Sequence, residues 1–174
     1  MKISDLETAD SPKALEFPHF PARWQAVVWR NWGLVPTERL AQILKTTPET
    51  LRAAAAELGL NPEEPVQEKW CSHSYLSVLR CNWHLLSIAQ LLELLNWSGN
   101  RLLQVLNEED FFWSKVGRLK PATGNVCYSE LSPEQKRQTA EIRAAMKQFF
   151  SIRNSGYLDA PFAFMNDKIA VIFT

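Results

Sequence analysis

Trp24-Gln25-Ala26-Val27-Val28-Trp29-Arg30-Asn31-Trp32-Gly33-Leu34-Val35 comes back 51 residues later as Tyr75-Leu76-Ser77-Val78-Leu79-Arg80-Cys81-Asn82-Trp83-His84-Leu85-Leu86. Val27/Val78, Asn31/Asn82, Trp32/Trp83 and Leu34/Leu85 are identical across this offset. Leu40/Leu91, Leu44/Leu95, Leu51/Leu102 and Glu57/Glu108 carry the match on to Leu60 and Phe111. Eight identities in 37 aligned positions is several times chance, and most are apolar residues at helical spacing. A helical unit used twice is the natural reading.

Each unit predicts three helices. In the first, 22–31 sets Trp24, Val27, Val28 and Asn31 on one stripe, and Gly33 then breaks the chain. Pro36-Thr37-Glu38 opens a second helix that faces the core with Leu40, Ile43 and Leu44. Thr47-Pro48-Glu49 opens a third, with Thr as cap, Pro in the first turn and Glu favoured by the helix dipole; Gly59 closes it. Residues 74–82, 87–95 and 98–107 repeat the pattern.

The rest of the chain is arranged around these units. Residues 1–21 form an N-terminal extended arm, 22–60 the first helix-turn-helix-like unit and 61–72 a polar, proline-bearing linker. The second unit with its extension occupies 73–121. Residues 122–150 hold a loop and a long helix, which the capping box Ser132-Pro133-Glu134-Gln135 opens. Its expected apolar face is Ile142, Met146, Phe149 and Phe150, with Lys136, Arg137, Glu141, Arg143 and Lys147 toward solvent. The tail, 151–174, ends in the β-prone run Ile169-Ala170-Val171-Ile172-Phe173-Thr174, and is expected to begin a further domain. The fold class expected is mainly α: a tandem repeat of two trihelical units, a long C-terminal helix and a short terminal strand.

Composition narrows the function. The chain has 174 residues, with 19 Lys+Arg balancing 19 Asp+Glu, and 46% of it is hydrophobic. This is enough for a packed core and unlike a disordered chain. No apolar run reaches the roughly eighteen residues of a membrane span, so no membrane association is expected. The odd number of cysteines (Cys71, Cys81 and Cys127) and the acidic, broken N-terminus point to reduced thiols in a cytoplasm. Zero net charge is a poor start for a nucleic-acid binder, whose affinity comes largely from phosphate neutralisation.

The turn-linked helices of each unit nevertheless have the pattern of a helix-turn-helix, whose second helix reads bases from its N-terminal side chains. Those positions hold Thr47, Thr50 and Arg52 in the first unit and Ser98, Asn100 and Arg101 in the second. Glu49 and Glu57 flank the first set, and Glu108-Glu109-Asp110 closes the second. DNA is therefore a possible but disfavoured partner. Cys71, His73, Cys81 and His84 are of metal-ligating types, but their spacing fits no zinc knuckle, and the first unit has no counterpart to them. No metal and no cofactor is expected. No nucleophile–base–acid set emerges, His19 lies in an apolar Phe17–Pro21 segment, and consecutive carboxylates do not make a glycosidase pair. Of the seven Trp, Trp32 and Trp83 are expected to be one core position used twice. Trp29 and Trp97, whose offset partners are not aromatic, are the candidates for exposed contacts.

Phe17–Pro36 resembles the opening of large, poorly characterised bacterial proteins. Asn82-Trp83-His84-Leu85-Leu86 and Glu109-Asp110-Phe111-Phe112-Trp113, with Lys115, Gly117 and Leu119-Lys120-Pro121, carry the same resemblance. In that family a helical region of this kind precedes a domain similar to a glycoside-hydrolase TIM barrel. The resemblance covers about Phe17–Phe150 and implies no site residues. The function expected is a non-catalytic helical accessory or interaction module of a carbohydrate-active-type protein, partnered by a protein or a downstream domain. The other reading is a DNA-binding regulator with tandem helix-turn-helix units.

Overall fold

Local signals set most helix ends. Thr47 Oγ1 accepts the Thr50 N–H at 3.2 Å and starts α3 (Pro48–Glu57); Leu58 ends it, and Gly59 follows at φ 86°. Ser87 Oγ caps α5 (Ile88–Leu95) and Ser98 Oγ caps α6 (Gly99–Glu108), each accepting a backbone N–H at 3.3 Å. α1 (Arg23–Asn31), α2 (Thr37–Leu44) and α4 (Tyr75–Asn82) complete the two groups of three. Several helices start one residue later than the sequence predicts, because the Ser or Pro expected as a first residue is the cap instead. Lys45 and Asn96 end α2 and α5 in the left-handed region, at φ 55° and 53°. Asn tolerates this conformation better than Lys. A short α7 (Phe112–Lys115) and the long α8 (Pro133–Phe150) follow. At the start of α8, Ser132 and Gln135 exchange hydrogen bonds of 2.9 and 3.2 Å, the capping box expected.

This computed structural model describes residues 2–8, 10–63, 66, 73–109 and 111–150; of Phe150 it describes the backbone alone. The tail with its expected strand, Cys71 and Asp110 lie outside the described residues. The chain is mainly helical, with eight α-helices and no β-strand among the described residues.

The groups meet helix to helix, α1 against α4 and α2 against α5, while α3 packs on α1 and α2. At the centre Asn31 and Asn82, both 0% exposed, exchange amides: each Nδ2 donates to the other's Oδ1, at 2.8 and 2.7 Å. Each Nδ2 also donates at 2.8 Å to the carbonyl four residues earlier, Val27 or Val78. Arg39 Nη1 donates to the Leu94 carbonyl at 3.2 Å, and Gln90 Nε2 to that of Ile43 at 2.9 Å. These two bonds exchange under the offset of 51. Leu40, Leu44, Leu51, Leu91, Leu94 and Leu102 are all fully buried around this centre. Each contributes about 1.5–3 kcal/mol through burial.

The tryptophan expectation needs correction. Trp83 is 2% exposed, met edge-on by Phe112 and Trp113 at 5.9 and 6.3 Å, whereas Trp32 is half-buried. α7 roofs Trp83; Trp32 packs on the core at its edge and donates to the Asn61 carbonyl at 2.7 Å.

α8 lies across the first group. Gln135 Nε2 donates to the Pro21 carbonyl at 2.9 Å, and Gln25 Nε2 to Thr139 Oγ1 at 2.9 Å. A Cβ on Gly59 would stand 3.1 Å from Met146 Cβ, so α8 approaches here because position 59 has no side chain. Phe149, expected in the apolar face, is 67% exposed, at the open side of the groove it lines with Trp29, Ile142 and Met146. The N-terminal arm is tied down as well. Leu6 is fully buried, its carbonyl takes the Lys120 N–H at 2.8 Å, and Pro12 takes that of Ala122 at 3.1 Å.

Candidate functional site

The third helix of each group places the candidate base-reading residues at its start, and the structure shows how each is engaged. Thr47 Oγ1 accepts the Thr50 amide and lies 3.1 Å from Thr50 Oγ1. Arg52 lies between two carboxylates, Glu38 at 3.5 Å and Glu49 at 3.7 Å. The helix-start amide and Thr47, with Arg52 beside them, hold the exposed Glu49 carboxyl below the usual range. In the second group Ser98 is the cap, Asn100 is exposed, and Arg101 is shared. Its Nη2 lies 3.5 Å from Glu109, its Nη1 donates to Gln104 at 3.0 Å, and its guanidinium stacks 5.4 Å from the Trp97 ring. Tyr75 donates its hydroxyl to the same Glu109, which raises the Tyr75 pKa. Both arginines are thus paired with acids of their own chain.

Trp29 and Trp97 are each half-buried. Trp29 stacks on Phe20 at 5.7 Å and, with His19, Ile142 and Met146, lines an apolar groove of about 280 Å³ beside α8. Trp97 stacks on Tyr75 at 5.4 Å, at the edge of a smaller cleft of about 150 Å³ between the groups. A cleft of about 530 Å³ runs between the arm near Lys13, the start of α1 and the loop 122–129.

Of the residues of metal-ligating type, His84 accepts the Leu15 N–H on Nδ1 at 3.2 Å. Its pKa is lowered by burial first, then by Lys120 and Arg23. No cluster of three or more His, Cys, Asp and Glu suited to a metal occurs among the described residues. None of their helices is long and apolar enough to cross a membrane.

Lys120 was not legible from its neighbours in sequence. It is 0% exposed, its Nζ donates at 3.1 Å to the Pro121 carbonyl and to Thr123 Oγ1, and it sits 5.7 Å from the Trp83 ring. Burial pulls its pKa down to about 8, against a weaker opposing pull from Glu7. From pH 8 upward the folded chain releases this proton before the unfolded chain does, so stability rises with pH in that window. The denaturation midpoint is expected to climb between pH 7.5 and 9.5, by about 1–2 kcal/mol in stability. Above that range Tyr75 and Tyr128, both with raised pKa, act in the opposite sense. Lys120→Met should flatten the climb, and an equal climb in that variant would assign it elsewhere.

The second functional feature missed is Gln90, 6% exposed. Its Nε2 donates to the Val126 carbonyl at 2.7 Å, its Oε1 accepts the Val126 N–H at 2.9 Å, and the loop 122–130 is thereby fastened to α5. The available signal was a lone polar residue on the apolar stripe of Leu91 and Leu94.

No protein-family model, curated protein or solved structure matches this chain.

Proposed function

We propose that the chain is a non-catalytic helical interaction module. It comprises two trihelical helix-turn-helix-like units repeated in tandem about an approximate two-fold axis, braced by α8. The reading rests above all on Arg52 and Arg101. They are the two cations best placed to meet phosphate from the third helices, and both are paired with Glu38, Glu49 and Glu109 of the chain itself. Binding DNA would require these pairs to exchange carboxylate for phosphate, at the start of helices that carry further acids. The repeat is supported by the bonds that exchange under the 51-residue offset, Asn31 with Asn82 and Arg39 with Gln90. In a bacterial protein of carbohydrate-active type, as the sequence resemblance implies, such a unit would act as an accessory region holding a protein partner or a downstream domain.

The test is a mobility-shift titration with duplex DNA at low salt, beside a glycosidase assay of the same chain. No shift and no turnover are expected. A salt-sensitive shift abolished by Arg52→Ala with Arg101→Ala would replace the reading with a tandem helix-turn-helix regulator using Thr47, Thr50, Ser98 and Asn100. Turnover would end the non-catalytic reading.

A further inference from the structure

We infer that the cleft edged by Arg39, Tyr75, Trp97 and Arg101 is a seat for an acidic peptide segment of a partner protein. This rests on the interaction-module reading. The argument comes from the other side of the molecule, where the chain fills the corresponding seat with a segment of its own.

Shifting the cleft residues Tyr75, Val78, Leu95 and Arg39 by 51 positions gives Trp24, Val27, Leu44 and Gln90. At that second place lies the stretch from Asn125 to Tyr128. Gln90 clasps the Val126 backbone through both its N–H and its carbonyl, at 2.9 and 2.7 Å. The Leu44 carbonyl at the end of α2 accepts the Tyr128 N–H at 2.8 Å. The Tyr128 ring packs on Trp24 at 4.9 Å, and Ser87 Oγ donates to Asn125 Oδ1 at 2.7 Å. One side of the interface is therefore built to hold peptide backbone.

On the other side the frame is the same and the chemistry differs. The Leu95 carbonyl, counterpart of Leu44, receives no N–H from any described residue. Arg39 makes the bond to Leu94 that Gln90 makes to Ile43. No described carboxylate lies within salt-bridge distance of it, and among the described residues the Leu94 carbonyl is its side chain's hydrogen-bond acceptor, so an incoming oxygen can meet its remaining donors. An arginine has donors only, so where Gln90 meets one N–H and one carbonyl, Arg39 requires a carbonyl and an anionic oxygen. Trp97 replaces Thr46 and supplies from within the ring that Tyr128 brings to the first side. The space left, about 150 Å³, is below the roughly 300 Å³ of a small-molecule site and suits one side chain with its backbone. The occupant is a segment with an Asp or Glu on Arg39 and a backbone N–H on Leu95.

The probe is a fluorescein-labelled peptide with the sequence of residues 124–130 of this chain, carrying Asn125→Asp and Cys127→Ser. Fluorescence polarisation is read against the full chain. Binding is expected, weakened about tenfold by Arg39→Gln and by reversion of the peptide Asp to Asn, and weakened by salt. Arg39→Gln keeps a donor for the Leu94 carbonyl and reproduces Gln90, so the fold is preserved; an unchanged melting temperature checks this. Equal binding by wild type and Arg39→Gln overturns the seat. No binding at millimolar peptide, with no shift of duplex DNA either, also overturns the seat and leaves the module reading in place. A DNA shift overturns that reading itself.

Discussion

Asn31→Leu is expected to destabilise the chain by about 2–4 kcal/mol, while Asn31→Leu combined with Asn82→Leu costs well below the sum of the two single changes. The two amides are buried at 0% exposure and each uses the other as donor and acceptor. One leucine removes both mutual bonds and leaves Asn82 Oδ1 in the core without a donor, which costs more than the bonds contributed. A leucine pair leaves no amide unsatisfied, although each leucine is larger than the asparagine it replaces and must be accommodated in the core. In a chain of this size the single change should lower the melting temperature by about 5–15 °C. A thermal or urea double-mutant cycle measures it. Additive single effects would show that the two side chains do not depend on each other, and the reciprocal bonds would not be what joins the groups.

That pair marks where sequence reasoning worked. Asn31 and Asn82 were visible as an identity at constant offset on otherwise apolar stripes, and the caps Thr47, Ser132 and Pro133 announced helix starts through chemistry that acts within four residues. The elements are legible because their causes are local. What was hidden depends on residues far apart in the chain. Trp32 and Trp83 look alike in sequence, but Trp83 lies under α7 while Trp32 is half-buried. Phe149 continues the apolar stripe of α8 at the open side of the groove it lines.

The candidate site was legible as a set of positions and not as a charge state. Arg52 and Arg101 stood out as the cations of the third helices. Glu49 could be paired with Arg52 from its i,i+3 spacing, but Glu38 comes from α2 and Glu109 from beyond the end of α6. Lys120 is buried by the arm, by Trp83 and by Thr123, none of which its own neighbourhood foretells. Arg39 became informative only through Gln90, which was in turn uninterpretable before the Val126 contact was known. An offset match records which positions correspond. It does not record which of two corresponding positions has been filled.

Gln90→Leu is expected to release the loop 122–130 and cost about 2–4 kcal/mol. The Gln90 side chain holds the Ile43 carbonyl, the Val126 carbonyl and the Val126 N–H together, and leucine leaves all three facing an apolar side chain. Amide exchange should show it directly. The Val126 and Tyr128 N–H groups, bonded to Gln90 and Leu44, should exchange at least about a hundredfold faster, while Asn31 and the centre of α1 stay protected. Gln90→Glu separates shape from hydrogen bonding. Ionised, it keeps an acceptor for the Val126 N–H, loses both donors and buries a charge, so its carboxyl pKa in the folded chain is raised. A raised pKa means that the stability it retains is fully present below about pH 4.3 and is lost as pH rises through the folded value. Gln90→Glu should therefore match Gln90→Leu at neutral pH and approach wild type in acid, relative to the acid loss that wild type itself shows. If neither variant changes exchange at Val126 and Tyr128, the loop is held by its other ties, Tyr128 on Trp24 and the Leu44 carbonyl and Asn125 on Ser87, and Gln90 and Arg39 are not counterparts in function.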